Sequence, residues 1–259
     1  MKKDVQIVIV AAGVGSRMRP LTETTPKCLI PIKGKPLIQY QLEEFKKQGF
    51  THILFCLGFL ANKVVDYFKK ERIPDLLLTY SLEPYTSPER LSGTAGAVKY
   101  AQSKIKSKEF IVYYGDNLTN LNFHDLISFH RKKNAFATIV MRPQKKNGDI
   151  KDPTFMDSAI ILDDNQRVNL FLEKPDSKTK KRYLTQKRYE NNGIYVCDQR
   201  IFAYLPEGKF VDFAKDVFPR LIKEGKPVYG YASDKFFREM GRMEKYIAFQ
   251  EEFKNKEFF

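Results

Sequence analysis

Tryptophan is absent from the 259 residues, and cysteine occurs only at Cys28, Cys56 and Cys197. Three cysteines without metal-ligand spacing exclude a disulfide framework, and a reducing compartment is the default for such a chain. We therefore expect a cytoplasmic protein. A long apolar run is lacking too. The stretch from Val5 to Ala12 is interrupted by Gln6 and falls short of the roughly 20 residues a membrane-spanning helix needs. The Gly/Arg sequence that follows is not a small-residue cleavage site, so the stretch reads as a buried strand and not as a leader. Glycine (14) and proline (13) are near ordinary levels, which excludes collagen-like and low-complexity architectures.

Acid is scarce relative to base: Asp and Glu total 31 against 45 Lys and Arg, a net charge of +14. Such a surface attracts anions. Nucleic acid, an anionic membrane face and small phosphorylated molecules all fit, and charge alone does not choose among them. What is present is ordinary: 42% hydrophobic and 29% charged residues, with Phe (21) and Tyr (14) supplying the aromatic bulk. That composition excludes a disordered chain and a multi-span membrane protein. A chain of this length forms one large domain or two small ones.

Hydrophobic patterning alternates between strand and helix. Gln6–Ala11 is continuously apolar from Ile7 onward, as strands of a covered parallel sheet are. Pro36–Gln48 carries apolar residues at 37, 38, 42 and 45, a helical face. His52–Gly58, Leu76–Ser81 and Phe110–Tyr114 read as strands, and Lys63–Lys70 and Thr94–Ile105 as helices. This order predicts βαβ units, hence an α/β fold with a mainly parallel, Rossmann-like mixed sheet and helices on both faces. The second half changes texture. Ala135–Met141, Ser158–Leu162, Val168–Glu173, Asn192–Val196 and Val228–Tyr231 suggest shorter, partly antiparallel strands. Phe210–Lys223 and Met243–Lys254 suggest helices, and Lys145–Lys151 and Ser177–Arg188 polar loops. No repeat or long linker divides the chain. We expect a single domain over 1–259, with halves 1–120 and 121–259.

The glycine loop after the first strand carries the chemistry. Ala11, Ala12, Gly13, Gly15 and Ser16 lie where backbone N–H groups can approach an anion closely. The dinucleotide fingerprint fails because Met18 stands where a third glycine is required, and nothing closes the loop as Gly-Lys-Ser/Thr does in a Walker A motif. Arg17 offers the fixed fork suited to phosphate oxygens, and Lys27 is a compact mobile cation. Asp116 follows Gly115 at the end of an apolar strand, where open α/β sheets place their ligands; a carboxylate there suits Mg²⁺.

The continuous pattern Ala11-Ala12-Gly13-Val14-Gly15-Ser16-Arg17-Met18-Arg19-Pro20-Leu21-Thr22, then Thr25-Pro26-Lys27 and Pro31-Ile32-Lys33-Gly34-Lys35-Pro36-Leu37, closely resembles the signature of the sugar-phosphate nucleotidylyltransferases. The resemblance implies the fold of the nucleotide-diphospho-sugar transferases and an Mg²⁺-dependent reaction between an NTP and a sugar 1-phosphate. It places Arg17 on the leaving pyrophosphate and Lys27 on the α-phosphate. It extends less densely over nearly the whole chain, and implies a nucleotide-binding half (1–120) and a sugar-phosphate-binding half (121–259). By it, Gly93 and Thr94 (in Ser92-Gly93-Thr94-Ala95-Gly96) lie against base and sugar. Asp116 ligates the metal, Glu173 meets sugar hydroxyls, Lys174 meets the sugar phosphate, and Asn192 lines the sugar pocket.

One departure stands out. Where relatives carry Trp/Phe-x-Asp-x-Gly-Thr with a second metal-ligating Asp, this chain has Phe237-Arg238-Glu239-Met240-Gly241-Arg242. Glu239 thus becomes the expected second ligand, its carboxylate displaced by about one bond. GTP with a mannose- or heptose-type 1-phosphate is the first expectation. TTP, UTP or CTP with glucose 1-phosphate or phosphocholine, and a binding subunit with weak turnover, are the alternatives. Homo-oligomers are common in the family. A nucleic-acid partner and a membrane span are not expected.

Overall fold

The computed structural model describes residues 5–143, 158–183, 186–255 and 258; Lys145–Lys151, read above as a polar loop, lies outside them. In the first half, the strands are β1 (Val5–Ala11), the short hairpin β2 (Pro31–Ile32) and β3 (Lys35–Pro36), β4 (His52–Leu57), β5 (Leu77–Leu82) and β6 (Glu109–Tyr114). Between them run α1 (Leu21–Thr24), α2 (Leu37–Lys47), α3 (Ala61–Lys70) and α4 (Gly93–Tyr100). The second half continues with β7 (Asn117–Thr119), α5 (Phe123–Lys132), β8 (Ala137–Pro143), β9 (Ser158–Leu162), β10 (Val168–Glu173), α6 (Ser177–Tyr183) and β11 (Tyr189–Asp198). It ends with α7 (Phe218–Lys223), β12 (Val228–Ala232), β13 (Phe237–Glu239) and α8 (Met243–Glu252).

One sheet carries the order β10-β9-β11-β6-β1-β4-β5, with β8 pairing β11 and β12. β1 is parallel to β4 and β6, and β4 to β5. β11 runs antiparallel to β6, which joins strands of both halves in one sheet. The mixed, mainly parallel α/β architecture expected from the sequence is present.

Period-2 alternation explains why both faces are covered. Along β1, Ile7 and Ile9 enter one core with Ile38, Leu42 and Phe45 of α2, Val64 and Phe68 of α3, and Leu126 of α5. Val8 points the other way, to Val98 of α4 and Phe218 and Leu221 of α7. β6 repeats the pattern, with Ile111 and Tyr113 on the first face and Phe110 and Val112 on the second. A third, smaller core gathers Ile32, Leu37, Leu118, Met240, Phe249 and Phe253. It fixes α8 against the β7–β13 ladder, in which Glu239 stands opposite Asn117.

Two expectations are corrected. Ser177–Arg188 is not simply a loop, because its first part forms α6. Asp176 caps that helix, accepting from Thr179 N at 2.8 Å, and Lys and Arg are good helix formers once a cap is supplied. The helix predicted over Phe210–Lys223 starts late. Val211 is engaged with the start of α4, donating to Ser92 O at 2.8 Å, and Asp212 caps a π-helical turn, Phe213–Val217, that runs into α7.

Candidate active site

The carboxyl ends of β1, β4 and β6 lie side by side, because Ala11 is level with Leu57 and Val10 with Tyr114. From β1 the chain proceeds to β4 on one side and later to β6 on the other. Such a reversal opens a crevice at the strand ends, where α/β sheets take their ligands. The glycine loop lies at the mouth of this crevice. Ala12 O accepts from Phe59 N at 3.0 Å beyond β4, and Gly115 N donates to Val10 O at 3.0 Å.

The loop is shaped by Gly15, whose φ of 62° lies in the left-handed region; a Cβ there would stand 2.9 Å from Thr22 Cγ2. Thr22 Oγ1 and Met18 N both donate to Gly15 O, each at 2.8 Å. Met18 is buried beneath the single 3-10 turn Ser16–Met18, while Ser16 and Arg17 remain exposed. Gly13 is exposed with open space around its Cα. The buried Met18 therefore anchors a loop whose neighbouring Arg17 faces outward.

Lys27 begins a second 3-10 turn, Lys27–Leu29, anchored by buried Cys28. Burial pushes the Cys28 thiol up to about 12, so that sulfur is a packing group. Lys27 Nζ is ion-paired with Asp116 Oδ2 in the turn between β6 and β7. Burial alone would raise the Asp116 carboxyl. The Lys27 charge and hydrogen bond, a backbone hydrogen bond and the Arg17 charge outweigh it and hold the group below its ordinary value. Asp116 is thus an ionised carboxylate with cations on hand.

Glu239 reaches the same place through β13. Met240 N donates to Asp116 O at 2.9 Å, so the ladder sets Glu239 beside the Asp116 turn. Its side chain folds back over Gly241: a Cβ there would collide with Glu239 Oε1, and the same point lies 3.6 Å from an Arg17 guanidinium nitrogen. Glu239 Oε2 is ion-paired with Lys245 of α8. Arg17, Lys27, Asp116 and Glu239, separated by up to 222 positions in the sequence, therefore converge.

The other candidates are distributed around this cluster. The backbone of Gly93 and Thr94 opens α4, but the Thr94 hydroxyl is committed internally. It donates to Asp212 Oδ2 at 2.9 Å and accepts from Phe213 N at 3.0 Å. Ala95 N and Gly96 N donate to Val211 O at 2.9 and 3.2 Å. These contacts make Thr94 an anchor between α4 and the turn leading to α7. Glu173 ends β10 opposite Ser158, and Asn191 N donates to Ser158 Oγ at 2.8 Å, so the end of β10 is level with the crevice. Lys174 follows, exposed and with φ of 48°. Among the described residues no hydrogen bond or ion pair ties Lys174 to the Lys27–Asp116 cluster. Asn192 is buried, and its carbonyl accepts from Asn117 Nδ2 at 2.7 Å, while its Oδ1 is buried without a hydrogen-bond partner.

Four residues not singled out from the sequence join this site. Asn117 ties the Asp116 turn to β11. Asn191 accepts from Gly193 N at 2.9 Å and donates to the Tyr195 hydroxyl at 2.9 Å, which lies 3.4 Å from the Tyr114 hydroxyl. Burial, partly offset by the hydrogen bonds with Tyr114 and Asn191, drives the Tyr195 hydroxyl well above its ordinary value and keeps it a neutral donor. Lys245 pairs Glu239. Glu83, just past β5, accepts from Ser92 N at 2.7 Å through Oε1, while its Oε2 is buried without a hydrogen-bond partner. The doublet Asn191-Asn192 was the only local signal for any of these; the rest depend on strands that meet in space.

An open α/β sheet with a cation-rich glycine loop and two acidic side chains at its carboxyl edge defines a class of phosphate-handling α/β proteins. The chain belongs to the nucleotidyl transferase family, whose model matches residues 6–256. A UTP–glucose-1-phosphate uridylyltransferase from Synechocystis is 31% identical over 247 residues, covering 92% of this chain and 61% of that protein. A mannose-1-phosphate guanylyltransferase from Mycobacterium tuberculosis is 28% identical, covering 94% and 63%. The chain therefore spans about three-fifths of the length of these relatives. Among solved structures, HddC from Yersinia pseudotuberculosis shares the fold with a TM-score of 0.76 at 24% identity, covering 96% of this chain and 99% of that one. The same protein has been solved complexed with GMP-PN. Among the described residues no helix is long and apolar enough to cross a membrane.

Proposed function

We propose that the chain transfers a nucleotidyl group from an NTP to a sugar 1-phosphate, releasing pyrophosphate, with Mg²⁺ and with GTP and a mannose- or heptose-type 1-phosphate as substrates. The observation that carries this reading is the convergence of Arg17, the Lys27–Asp116 pair and Glu239 at the mouth of the β1/β6 crevice. In the proposed step a sugar-phosphate oxygen attacks the α-phosphorus. A new P–O bond forms as the bond to the β-phosphate oxygen breaks, and both electrons leave with pyrophosphate. Positioning and charge neutralisation supply most of the catalysis in such transfers.

Lys27 meets charge developing at the α-phosphate, and Arg17 meets the departing β- and γ-phosphates. Loop amides between Ala11 and Ser16 cradle the triphosphate. Glu173, Lys174 and Asn192 hold the sugar phosphate from the β10–β11 side. The residues present suit Mg²⁺: an ionised Asp116 and a neighbouring Glu239 carboxylate are hard oxygen donors, few in number, as Mg²⁺ sites shared with phosphates are. Bound there, the ion would neutralise phosphate charge and act as a Lewis acid. Asp116 and Glu239 would hold it.

For the base, Glu83 supports guanine. A carboxylate accepts but does not donate, and the guanine N1–H and N2–H edge offers two adjacent donors. The acceptor stands just past the end of β5, where Glu83 N donates to Leu57 O at 2.8 Å at the end of β4. A second reading, UTP with glucose 1-phosphate, is favoured by the similarity to the Synechocystis relative. Pyrophosphate release with Mg²⁺, over GTP, UTP, TTP and CTP against mannose, heptose and glucose 1-phosphates and phosphocholine, separates the two. Turnover confined to GTP, and abolished by Asp116→Ala, is expected. Turnover confined to UTP selects the second reading. A blank grid with nucleotide binding intact overturns both in favour of a binding subunit.

A further inference from the structure

Glu239 and Lys245 make a pair that the proposed chemistry does not require in the resting protein. Glu239 Oε1 lies over Gly241 and Oε2 is held by the Lys245 ammonium. Lys245 stands two residues into α8, and its side chain keeps 36% of its surface accessible. Its stem is flexible, and an ammonium at the solvent edge can swing away from its partner. The second carboxylate of the site shows the same arrangement, with Lys27 on Asp116. In the resting protein Asp116 and Glu239, the two proposed metal ligands, are therefore each neutralised by a lysine, with Arg17 close by. A bare divalent cation meets a centre with no net negative charge to draw it in.

We propose that Lys245 holds the cation position at Glu239 until nucleotide arrives, so that a divalent ion enters with the nucleotide and not before it. The inference rests on the metal role given above to Glu239. The nucleotide triphosphate brings about four negative charges. It offers the Lys245 ammonium a new set of oxygens, and Glu239 is released to the metal. Lys245 is thus a positioning residue for Glu239 in the resting protein and a phosphate contact in the loaded one. The longer Glu side chain at this position makes the arrangement work. A carboxylate one methylene shorter would be drawn back from Gly241 and from the α8 lysine.

The test is Mn²⁺ binding, read from the electron paramagnetic resonance signal of the free ion, with and without GTP or UTP. Wild-type protein should bind Mn²⁺ weakly alone and at least tenfold more tightly with nucleotide. Lys245→Met should bind Mn²⁺ alone about three- to tenfold more tightly than wild type, the gain expected from removing a partly exposed competing cation. Its affinity for nucleotide without metal, read by calorimetry, should fall. Glu239→Asp, which keeps Lys245, should raise Mn²⁺ affinity in the same direction and serves if Lys245→Met fails to fold. Unchanged or weaker Mn²⁺ binding in both variants overturns the inference. Failure of the underlying metal role looks different: Glu239→Gln would then bind Mn²⁺ with nucleotide as tightly as wild type.

Discussion

The Lys27–Asp116 pair allows a quantitative test of the resting site. At ion-pair contact and an effective dielectric near 20, two unit charges attract by about 5 kcal/mol. Desolvation offsets much of that. The side chains retain 18% and 17% of their surface, so water still reaches them and the net coupling should be about 2 kcal/mol. Lys27→Met leaves an unpaired carboxylate in a mostly buried turn and should cost about 3 kcal/mol. Asp116→Asn keeps an acceptor in place and should cost about 1–2 kcal/mol. The double variant should be no less stable than Lys27→Met alone, since the charge that suffered is gone. Urea unfolding at pH 7, without metal or nucleotide, reads all four corners of this cycle. Below about pH 4 a further sign applies. The Asp116 carboxyl is held low in the fold, so its contribution is full above the ordinary carboxylate value. It is lost as pH falls through the folded value, and Asp116→Asn should show less of that loss. Strict additivity of the two single costs would refute the argument that these groups neutralise one another.

Three further outcomes follow from the packing and charges. His130 is buried, with Nδ1 2.9 Å from Thr138 Oγ1, and burial lowers its pKa from 6.5 to about 4. Its neutral ring thus contributes stability that is complete above pH 6.5 and disappears between there and pH 4, about 3 kcal/mol in all; His130→Gln should flatten the melting-temperature profile across that window, and an unchanged slope would reject the assignment. Phe249→Ala should cost about 3–5 kcal/mol in urea unfolding, because this 2%-exposed ring holds α8 and with it Lys245; a cost under about 1 kcal/mol would mean the third core is not a packing unit. Glu83→Gln should lower the GTP-to-UTP ratio of kcat/KM at least tenfold by replacing one of two acceptor oxygens with a donor, and an unchanged ratio would remove Glu83 from base reading.

The sheet was legible because each of its central strands alternates between two covered faces. Ile7, Val8 and Ile9 are all apolar, and the structure sends them to two different cores. The glycine loop was legible because Gly15, Thr22 and Lys27 act within a dozen residues, where sequence spacing constrains space. Local pattern and structure part where local chemistry competes with charge or with distant partners. The lysines and arginines after Asp176 have the composition of a polar loop, although the capping Asp and the helix-forming Lys residues favour α6. Phe210 and Val211 look helical from hydrophobicity, but the Val211 backbone bonds to Ser92, Ala95 and Gly96, which no local pattern encodes. Lys245 and Glu83 carry no local signal for the same reason. Each becomes informative only when a strand or helix from elsewhere brings it a carboxylate or an amide.

The excess of positive charge in this chain meets a constraint inside the crevice. Two anionic substrates must approach one another for the proposed reaction, and cations are needed to let them do so. Unpartnered cations crowded into a partly buried crevice would repel each other and destabilise the resting fold. The structure resolves the conflict by giving cations acidic partners that are themselves useful: Lys27 on Asp116 and Lys245 on Glu239. A carboxylate that neutralises a lysine in the resting state becomes available when phosphate oxygens take the lysine. Neutralisation before and after substrate entry then uses one set of side chains rearranged. On this view the Glu at position 239 is not a weakened copy of an Asp. Its extra length, and the missing side chain of Gly241 that accommodates it, are what bring the α8 lysine into the exchange.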